Sequence, residues 1–463
     1  MCKILIYFLI NTKKKTLWNT LIFSTKSTYM DFNVTRLSHG LVPPSDPTPS
    51  GVLDLSVIDR QPVLRCNART LHVFRQGGPT PAAEVIRQAL SKALVPYYPL
   101  AGRLRFGNSD DDSRLQITCS GEGIWFVEAN VDRSLEEMNY FENAMSIPID
   151  TIDKLLPPHP DAADNLDPLV LIQITQFNCN GFVMGLTFCH TICDGLGAAQ
   201  FLKAVGEMAQ GADKPSMIPS WSRDLIQSPA LEAYLNSFPK TPLPPPVPTY
   251  QLEHTSIDIT TDYINREKQN FKAETGGRNC SSFEIVAASF WKHRTQAISD
   301  SLKEDTELKL VFFANCRQFV HPTLPQGYYG NCFFPVTISA SSGLLKQGSI
   351  VQVVKLIQEA KADLPNEFTK WIKSGVVQGA DPFLPPMLYT TLFISEWGRL
   401  GFNEVDYGWG RPVHVVPIQG SSVIPVGIVG WLPSPRSGIR LMTWCVEKDH
   451  LSSLAYYDLG KRR

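Results

Sequence analysis

One stretch limits more than any other how this chain can fold. Residues 169–177 read Leu-Val-Leu-Ile-Gln-Ile-Thr-Gln-Phe, Asn178-Cys179-Asn180-Gly181 follow, and residues 182–189 read Phe-Val-Met-Gly-Leu-Thr-Phe-Cys. Two apolar runs split by an Asn-Gly pair predict a hairpin, and because neither run alternates cleanly, both strands are expected to be buried. His190 then stands where a buried strand ends, a rigid support from which its ring can face a cavity. Thr191-Ile192-Cys193-Asp194 come next. Gly195 and Gly197 are expected to loosen the backbone before a helical stripe of Leu196, Ala199, Leu202, Val205 and Met208, closed by Gly211.

A histidine followed four positions later by aspartate occurs twice, at His190/Asp194 and at His254/Asp258. Context separates them. His254 lies inside an alternating Leu252/Ser256/Asp258/Thr260 pattern with no glycine after it, which reads as an ordinary strand. Cys189 and Cys193 flank His190, but their spacing matches no common zinc pattern, so no metal is expected.

With 463 residues the chain is long enough for two domains with substantial cores. A net charge of -1 and 19% charged residues leave no electrostatic footprint for nucleic acid. The ten cysteines form no Cys-x-x-Cys pair and several sit in apolar runs, the pattern of reduced intracellular thiols. Residues 1–29 hold five lysines, no acidic residue and an apolar run at 4–10 too short to span a bilayer. They read as an unstructured extension outside the fold, with the functional protein starting at Met30. Asn33-Val-Thr35 and Asn279-Cys-Ser281 match the glycosylation sequon without moving the compartment.

Along the rest of the chain, residues 42–50 form a proline-rich arm, and residues 53–59 read as a short strand. Thr80-Pro81 predicts the cap and first turn of a helix whose buried face is Val85, Ile86, Ala89, Leu90 and Ala93. Residues 214–250 end in Pro242-Leu-Pro244-Pro245-Pro246-Val-Pro248, a density that predicts an extended, stiff crossover between domains at 30–213 and 251–463. Beyond it, Ser281 and Glu284 predict a capping box opening a helix through His293. Ile350, Val353, Val354, Ile357 and Ala360 space out a helix face that ends before Pro365. Segments 309–314, 333–338, 387–395, 413–418, 423–431 and 439–446 read as strands. Strands and helices mix in both halves, so the expected class is α/β (α+β) with two layered sheets.

Taken with Asp406-Tyr407-Gly408-Trp409-Gly410, the His190 motif resembles that of the plant BAHD family of coenzyme A-dependent acyltransferases, in the branch that acylates monolignols, taxanes and related alcohols. Leu55-Ser-Val-Ile-Asp59, Tyr98-Pro-Leu-Ala-Gly-Arg103, Ser282-Phe-Glu284, Arg317, Gly327-Tyr-Tyr-Gly-Asn331 and Ser395-Glu-Trp397 match as well. Tyr407 departs from the family, which more often has Phe there. The resemblance implies two chloramphenicol acetyltransferase-like domains with a channel between them, through which donor and acceptor reach the histidine from opposite faces. It also implies that Asp194 turns away from the cavity to pair with Arg317, and that Asp406, Gly408, Trp409 and Gly410 support the site structurally.

Chemically, an acyl-coenzyme A thioester is already activated, so the acceptor sets the difficulty. A neutral imidazole can take the acceptor's proton as its oxygen attacks, which points to His190 as general base. A catalytic dyad would have Asp194 orient that ring instead. Ser281 and Ser282, at a helix N-terminus, and Trp397 are the candidate coenzyme contacts. A covalent route through Cys189 or Cys193 is the chemical alternative, disfavoured because apolar surroundings raise a thiol's pKa. The expectation is a soluble, monomeric, cytosolic enzyme with no bound cofactor, no nucleic acid and no membrane. It would use acyl-coenzyme A as co-substrate and move an aromatic or hydroxycinnamoyl group to a small alcohol. Transfer to an amine is the nearest alternative, and a catalytically silent ligand-binding relative the alternative of another class.

Overall fold

A computed structural model of the protein describes residues 32–107, 114–161, 167–238, 250–376, 381–418 and 424–456. The extension at 1–29 lies outside them. Two six-stranded mixed sheets carry the architecture. The first is built from β1 (Val34–Val42), β3 (Asn67–Phe74), β6 (Ile124–Val131), β7 (Val170–Phe177), β8 (Phe182–Cys189) and β13 (His414–Pro417), in the order β1-β6-β7-β8-β3-β13. The second comprises β9 (Glu253–Ile259), β10 (Glu307–Asn315), β11 (Phe333–Ser341), β12 (Thr391–Glu396), β14 (Val426–Trp431) and β15 (Ile439–Val446), in the order β11-β10-β12-β14-β15-β9. A small antiparallel sheet, β2 (Gly51–Asp54), β5 (Leu115–Cys119) and β4 (Arg103–Phe106), stands apart.

The hairpin read from the sequence is β7–β8, paired antiparallel from Val170/Phe188 to Gln176/Phe182 around Asn180, whose φ of 63° suits the turn. All of β8 is buried, because β7 and β3 flank it. Helix α1 (Ala82–Ala93) and helix α2 (Gly195–Ala209) cover one face of this sheet through Ile86, Leu90, Phe201, Leu202 and Val205. The chain halves do not segregate cleanly: β13 comes from the second half yet pairs with β3 of the first sheet, His414 opposite Val73 and Pro417 opposite Thr70.

Several expectations need correction. The strand over residues 53–59 stops at Asp54. Beyond it the Asp59 carboxylate accepts from the Ser56 N–H and hydroxyl, and this local bonding competes with a ladder. Helix α1 starts at Ala82 with Pro81 at its cap and no side-chain cap from Thr80. The crossover region is not extended throughout, since Ser228 caps a helix, α3 (Pro229–Asn236); residues 239–249 lie outside the described residues. After α4 (Thr261–Glu274), α5 (Ser282–Ala297) opens with the expected Ser281/Glu284 capping box. Helix α6 (Ile350–Ser374) runs straight through Pro365. An interior proline costs about 3 kcal/mol, and here Phe368 and Trp371, packed on Phe334 and Phe383 beyond it, supply the offsetting burial.

Gly195 and Gly197 serve close packing rather than looseness. Neither has a positive φ, and a Cβ on Gly197 would stand 1.9 Å from the Tyr329 carbonyl oxygen, while one on Gly195 would meet Leu400. Backbone cannot retreat as a side chain can. Gly197→Ala is therefore expected to cost about 1–3 kcal/mol, read as a lowered urea midpoint. Gly40→Ala, with nothing within 4 Å, should leave the midpoint in place; equal effects would refute the close-approach argument.

Candidate active site

His190 follows β8 directly, and its peptide is pinned on both sides. Its N–H donates to the Cys66 carbonyl at 2.8 Å, and its carbonyl accepts from the Asn331 side-chain amide at 2.8 Å. The ring is only partly exposed, set between Phe188 and Phe333 with ring centres 6.0 and 6.2 Å away. Phe188 belongs to the first sheet and Phe333 to the second, so the imidazole sits where the two meet. Burial lowers its pKa, opposed by its own carbonyl, Asp194, Asn331 and Asp59, and the net direction is down. The shift favours the neutral ring.

Asp194 does not hold that ring. It is the N-cap of α2, with Oδ1 accepting from Gly197 N–H at 3.0 Å, and it meets Arg317 in a fork, two N–H···O bonds of 2.9 Å. Oδ2 also accepts from the Cys332 N–H at 3.2 Å. Burial works against the charge on Arg317, but Asp194 more than offsets it and leaves that pKa raised.

A second ion pair, overlooked at the level of sequence, lies beneath the first. Asp59 is fully buried and bonds Arg223 Nε at 3.1 Å. It also accepts from the Asn331 N–H at 3.0 Å and its amide nitrogen at 2.7 Å. Arg223 in turn donates to the Ile192 carbonyl at 2.6 Å and lies over the Trp221 ring at 3.9 Å. The visible signal was the Ser-x-x-Asp spacing of residues 56–59, which reads as a side-chain-bonded turn rather than a strand.

The other predicted residues fall in two places. The Asp406 carboxylate accepts from the N–H groups of Gly408 and Gly410 at 2.7 and 2.9 Å, and both glycines have φ near 100°, the left-handed region a tight loop requires. Trp409 packs edge-on to Phe182, 5.8 Å between centres, over Gly78, where a Cβ would strike its indole nitrogen. Phe182 begins the strand that His190 ends, so this loop stands about 25 Å from the imidazole at ~3.3 Å per residue. Any support it gives the site is indirect.

Trp397 reaches the first half of the chain through the loop it opens. Its indole N–H donates to the Ser395 hydroxyl at 3.0 Å, and that loop brings Leu400 against Gly195 at the start of α2. Ser282 accepts from Lys268 Nζ at 2.8 Å and lines a cleft of about 100 Å³ with Arg399, Trp431 and Glu396, the last of these adjacent to Trp397 in the chain. Ser281 caps α5 behind it. Burial pushes the Cys193 thiol well up, which opposes a thiolate nucleophile. Among the described residues no group of three or more His, Cys, Asp or Glu could hold a metal ion, and no helix is long and apolar enough to cross a membrane.

Against known proteins, residues 32–451 match the model of the Transferase family. The chain is 41% identical to Acyl transferase 4 of Oryza sativa subsp. japonica, an alignment covering 91% of this chain and 97% of the relative. The chain belongs to the BAHD family. It is 38% identical to a myricetin 3-O-glucosyl 1,2-rhamnoside 6'-O-caffeoyltransferase of Crocosmia x crocosmiiflora, over 92% of this chain and 98% of the relative. It is 37% identical to the 3'-N-debenzoyl-2'-deoxytaxol N-benzoyltransferase of Taxus canadensis, over 91% and 95%. The crystal structure of vinorine synthase superposes with a TM-score of 0.67 at 20% identity, covering 91% of this chain and 96% of that one, which shows the fold. As a BAHD member the protein is an acyl-coenzyme A-dependent acyltransferase of α/β architecture, its two halves consistent with the family's two domains.

Two outcomes follow from this geometry. Arg317→Ala strands a buried carboxylate and is expected to destabilise by about 3–5 kcal/mol, measured by chemical denaturation; a change under about 1 kcal/mol would mean that the pair is as weak as an exposed one. Burial depresses the histidine pKa values of His72 and His414 to about 3 and of His293 to about 4, and lowers that of His190. A depressed value means that the unfolded chain binds more protons below pH ~6.5. Stability should accordingly be full above that pH and decline as pH falls toward 4, tracked by the denaturation midpoint.

Proposed function

We propose that this enzyme moves an aromatic, hydroxycinnamoyl-type acyl group from coenzyme A to the hydroxyl of a small specialised metabolite, within a ternary complex, with His190 as general base. The observation that carries this reading is the neutral, partly open imidazole of His190 at the meeting of the two sheets, with Asp194 engaged elsewhere. His190 takes the proton as the acceptor oxygen attacks the thioester carbonyl. The tetrahedral intermediate then collapses, and the imidazolium returns that proton to the departing coenzyme thiolate. The aromatic neighbours Phe188 and Phe333 suit a flat acyl group beside the ring.

Coenzyme phosphates would lie against the start of α5, where Ser281, Ser282 and Lys268 gather with Arg399 across the cleft, and Trp397 would flank the thioester arm. Residues 30–213 and 251–463 act as the two halves that enclose the channel, joined by the 214–250 crossover. A monomeric, cytosolic enzyme fits a cysteine pattern with no Cys-x-x-Cys pair and no regular framework in the sequence. The relative named for N-benzoyl transfer keeps an amine acceptor as the second reading; the same base and donor serve both.

The test follows free thiol as purified protein meets aromatic acyl-coenzyme A esters with a panel of alcohols and amines. Thiol release with alcohols is expected, and His190→Ala should lose about 100- to 10,000-fold in kcat/KM. Release with amines alone would replace the ester reading by the amide one. No release above the His190→Ala background would point to a ligand-binding relative.

A further inference from the structure

Alternation along two neighbouring strands sets two aromatic rings on the face of the second sheet turned away from α5 and α6. In β10, Phe312 packs on Phe283 of α5 with ring centres 5.4 Å apart, so Phe313 points to the opposite face. In β11, Phe334 packs on Phe368 and Trp371 of α6 at 5.9 and 5.5 Å, so Phe333 points the same way as Phe313. The two rings meet edge to face with centres 5.4 Å apart, and Phe333 lies 6.2 Å from the imidazole of His190. The series ends in water. Phe313 is 40% exposed, although β10 is flanked by β11 on one side and β12 on the other. Toward β12 the same face is closed, with Val311 and its register partner Phe393 both buried. Toward the β11 edge, Phe383 packs on Phe333 with centres 6.0 Å apart and is followed by the exposed Leu384. Contiguous exposed apolar surface leading to a polar reacting group is how ligand sites are commonly built.

We propose that Phe313 is a specificity-determining residue for the acceptor: an alcohol enters along this face with its hydroxyl at His190, its flat apolar body over Phe333 and the far end of that body against Phe313. The class so selected is an arylalkyl alcohol long enough to reach the second ring. This deepens the acyl-transfer reading and rests on it. The cleft proposed for the coenzyme phosphates lies elsewhere. It opens at the start of α5, on the helix side of the sheet, among residues of β14 and β15, whereas Phe313 and Phe333 lie across β12 on the other face. Phe333 flanks the imidazole for both reactants, and Phe313 meets only the one entering from this face. Phe313 makes no bond to the reacting atoms, so its contribution falls on acceptor binding, and proton transfer stays with His190.

Steady-state kinetics with benzoyl-coenzyme A as donor compare 3-phenylpropan-1-ol, whose ring can reach Phe313, with benzyl alcohol, which ends over Phe333. Phe313→Ala should raise KM for 3-phenylpropan-1-ol by about 2- to 10-fold, the effect of one aromatic pair, and leave KM for benzyl alcohol and for the donor unchanged. Leu344→Ala, which removes a similarly exposed apolar side chain from the helix Ser342–Gln347, should change none of the three. An unchanged KM for the longer alcohol, an equal rise for both alcohols, or a rise for the donor overturns the proposal while the acyl-transfer reading stands. Sedimentation showing that Phe313→Ala splits a dimer of the unaltered protein, with KM values unmoved, would make the ring a contact between copies and overturn it too. Absence of thiol release by the unaltered protein with every alcohol and amine overturns the acyl-transfer reading itself, a separate failure. If Phe313→Ala does not fold, the unaltered protein decides: KM for 3-phenylpropan-1-ol is expected below that for benzyl alcohol, and the reverse order overturns the proposal.

Discussion

The carboxylate of Asp59 has no access to water, and the architecture around His190 depends on satisfying it. Leaving such a charge without partners would cost several kcal/mol. Five donor groups meet it: the Ser56 N–H and hydroxyl, Arg223 Nε, and the N–H and amide of Asn331. They come from three stretches of chain, one between β2 and β3, one in the crossover region and one just ahead of β11. Apolar contact alone would let these stretches slide. A carboxylate with fixed lone pairs allows one arrangement, and that arrangement sets Asn331 under His190 and Arg223 against the Ile192 carbonyl.

Asp194 and Arg317 repeat the device four residues past the histidine. Both carboxylates belong to the first half of the chain, and the arginines that neutralise them come from the crossover region (Arg223) and the second half (Arg317). The peptide of His190 is gripped from both sides by this arrangement, yet its ring carries no comparable set of bonds. Rigid backbone and a lightly restrained ring suit the proton transfer proposed for His190.

What the sequence disclosed was local. The β7–β8 hairpin, the Ser281 capping box and the helical stripe after Gly195 each rest on spacing within a few residues, and each is found where expected. His190 was placed at a strand end for the same reason. The pairing of Asp194 with Arg317, more than a hundred residues away, came from family resemblance and not from spacing. The features that escaped were those decided by distant partners. Residues 55–59 look like a strand until Asp59 is seen to need Arg223 and Asn331. Pro365 looks like a helix stop until Trp371 is seen packed on Phe383. Gly197 looks like a hinge until the Tyr329 carbonyl is found against it.

Distance also resolves how the Asp406 loop, remote from the imidazole, bears on the site. Helix α2 leaves directly after Asp194 and has fifteen residues, so it spans about 22 Å at ~1.5 Å per residue. Its first turn is held by Arg317 through Asp194, by the Tyr329 carbonyl at Gly197 and by Leu400 at Gly195. Near its other end, Gly206 leaves room for the Asp406 carbonyl, which accepts from Gln210 at 2.8 Å. Both clamps come from the second half of the chain. Two motifs more than two hundred residues apart thus act on opposite ends of one helix. The Asp406 loop can influence His190 without approaching it, because a helix fixed at both ends cannot shift the residue from which it springs.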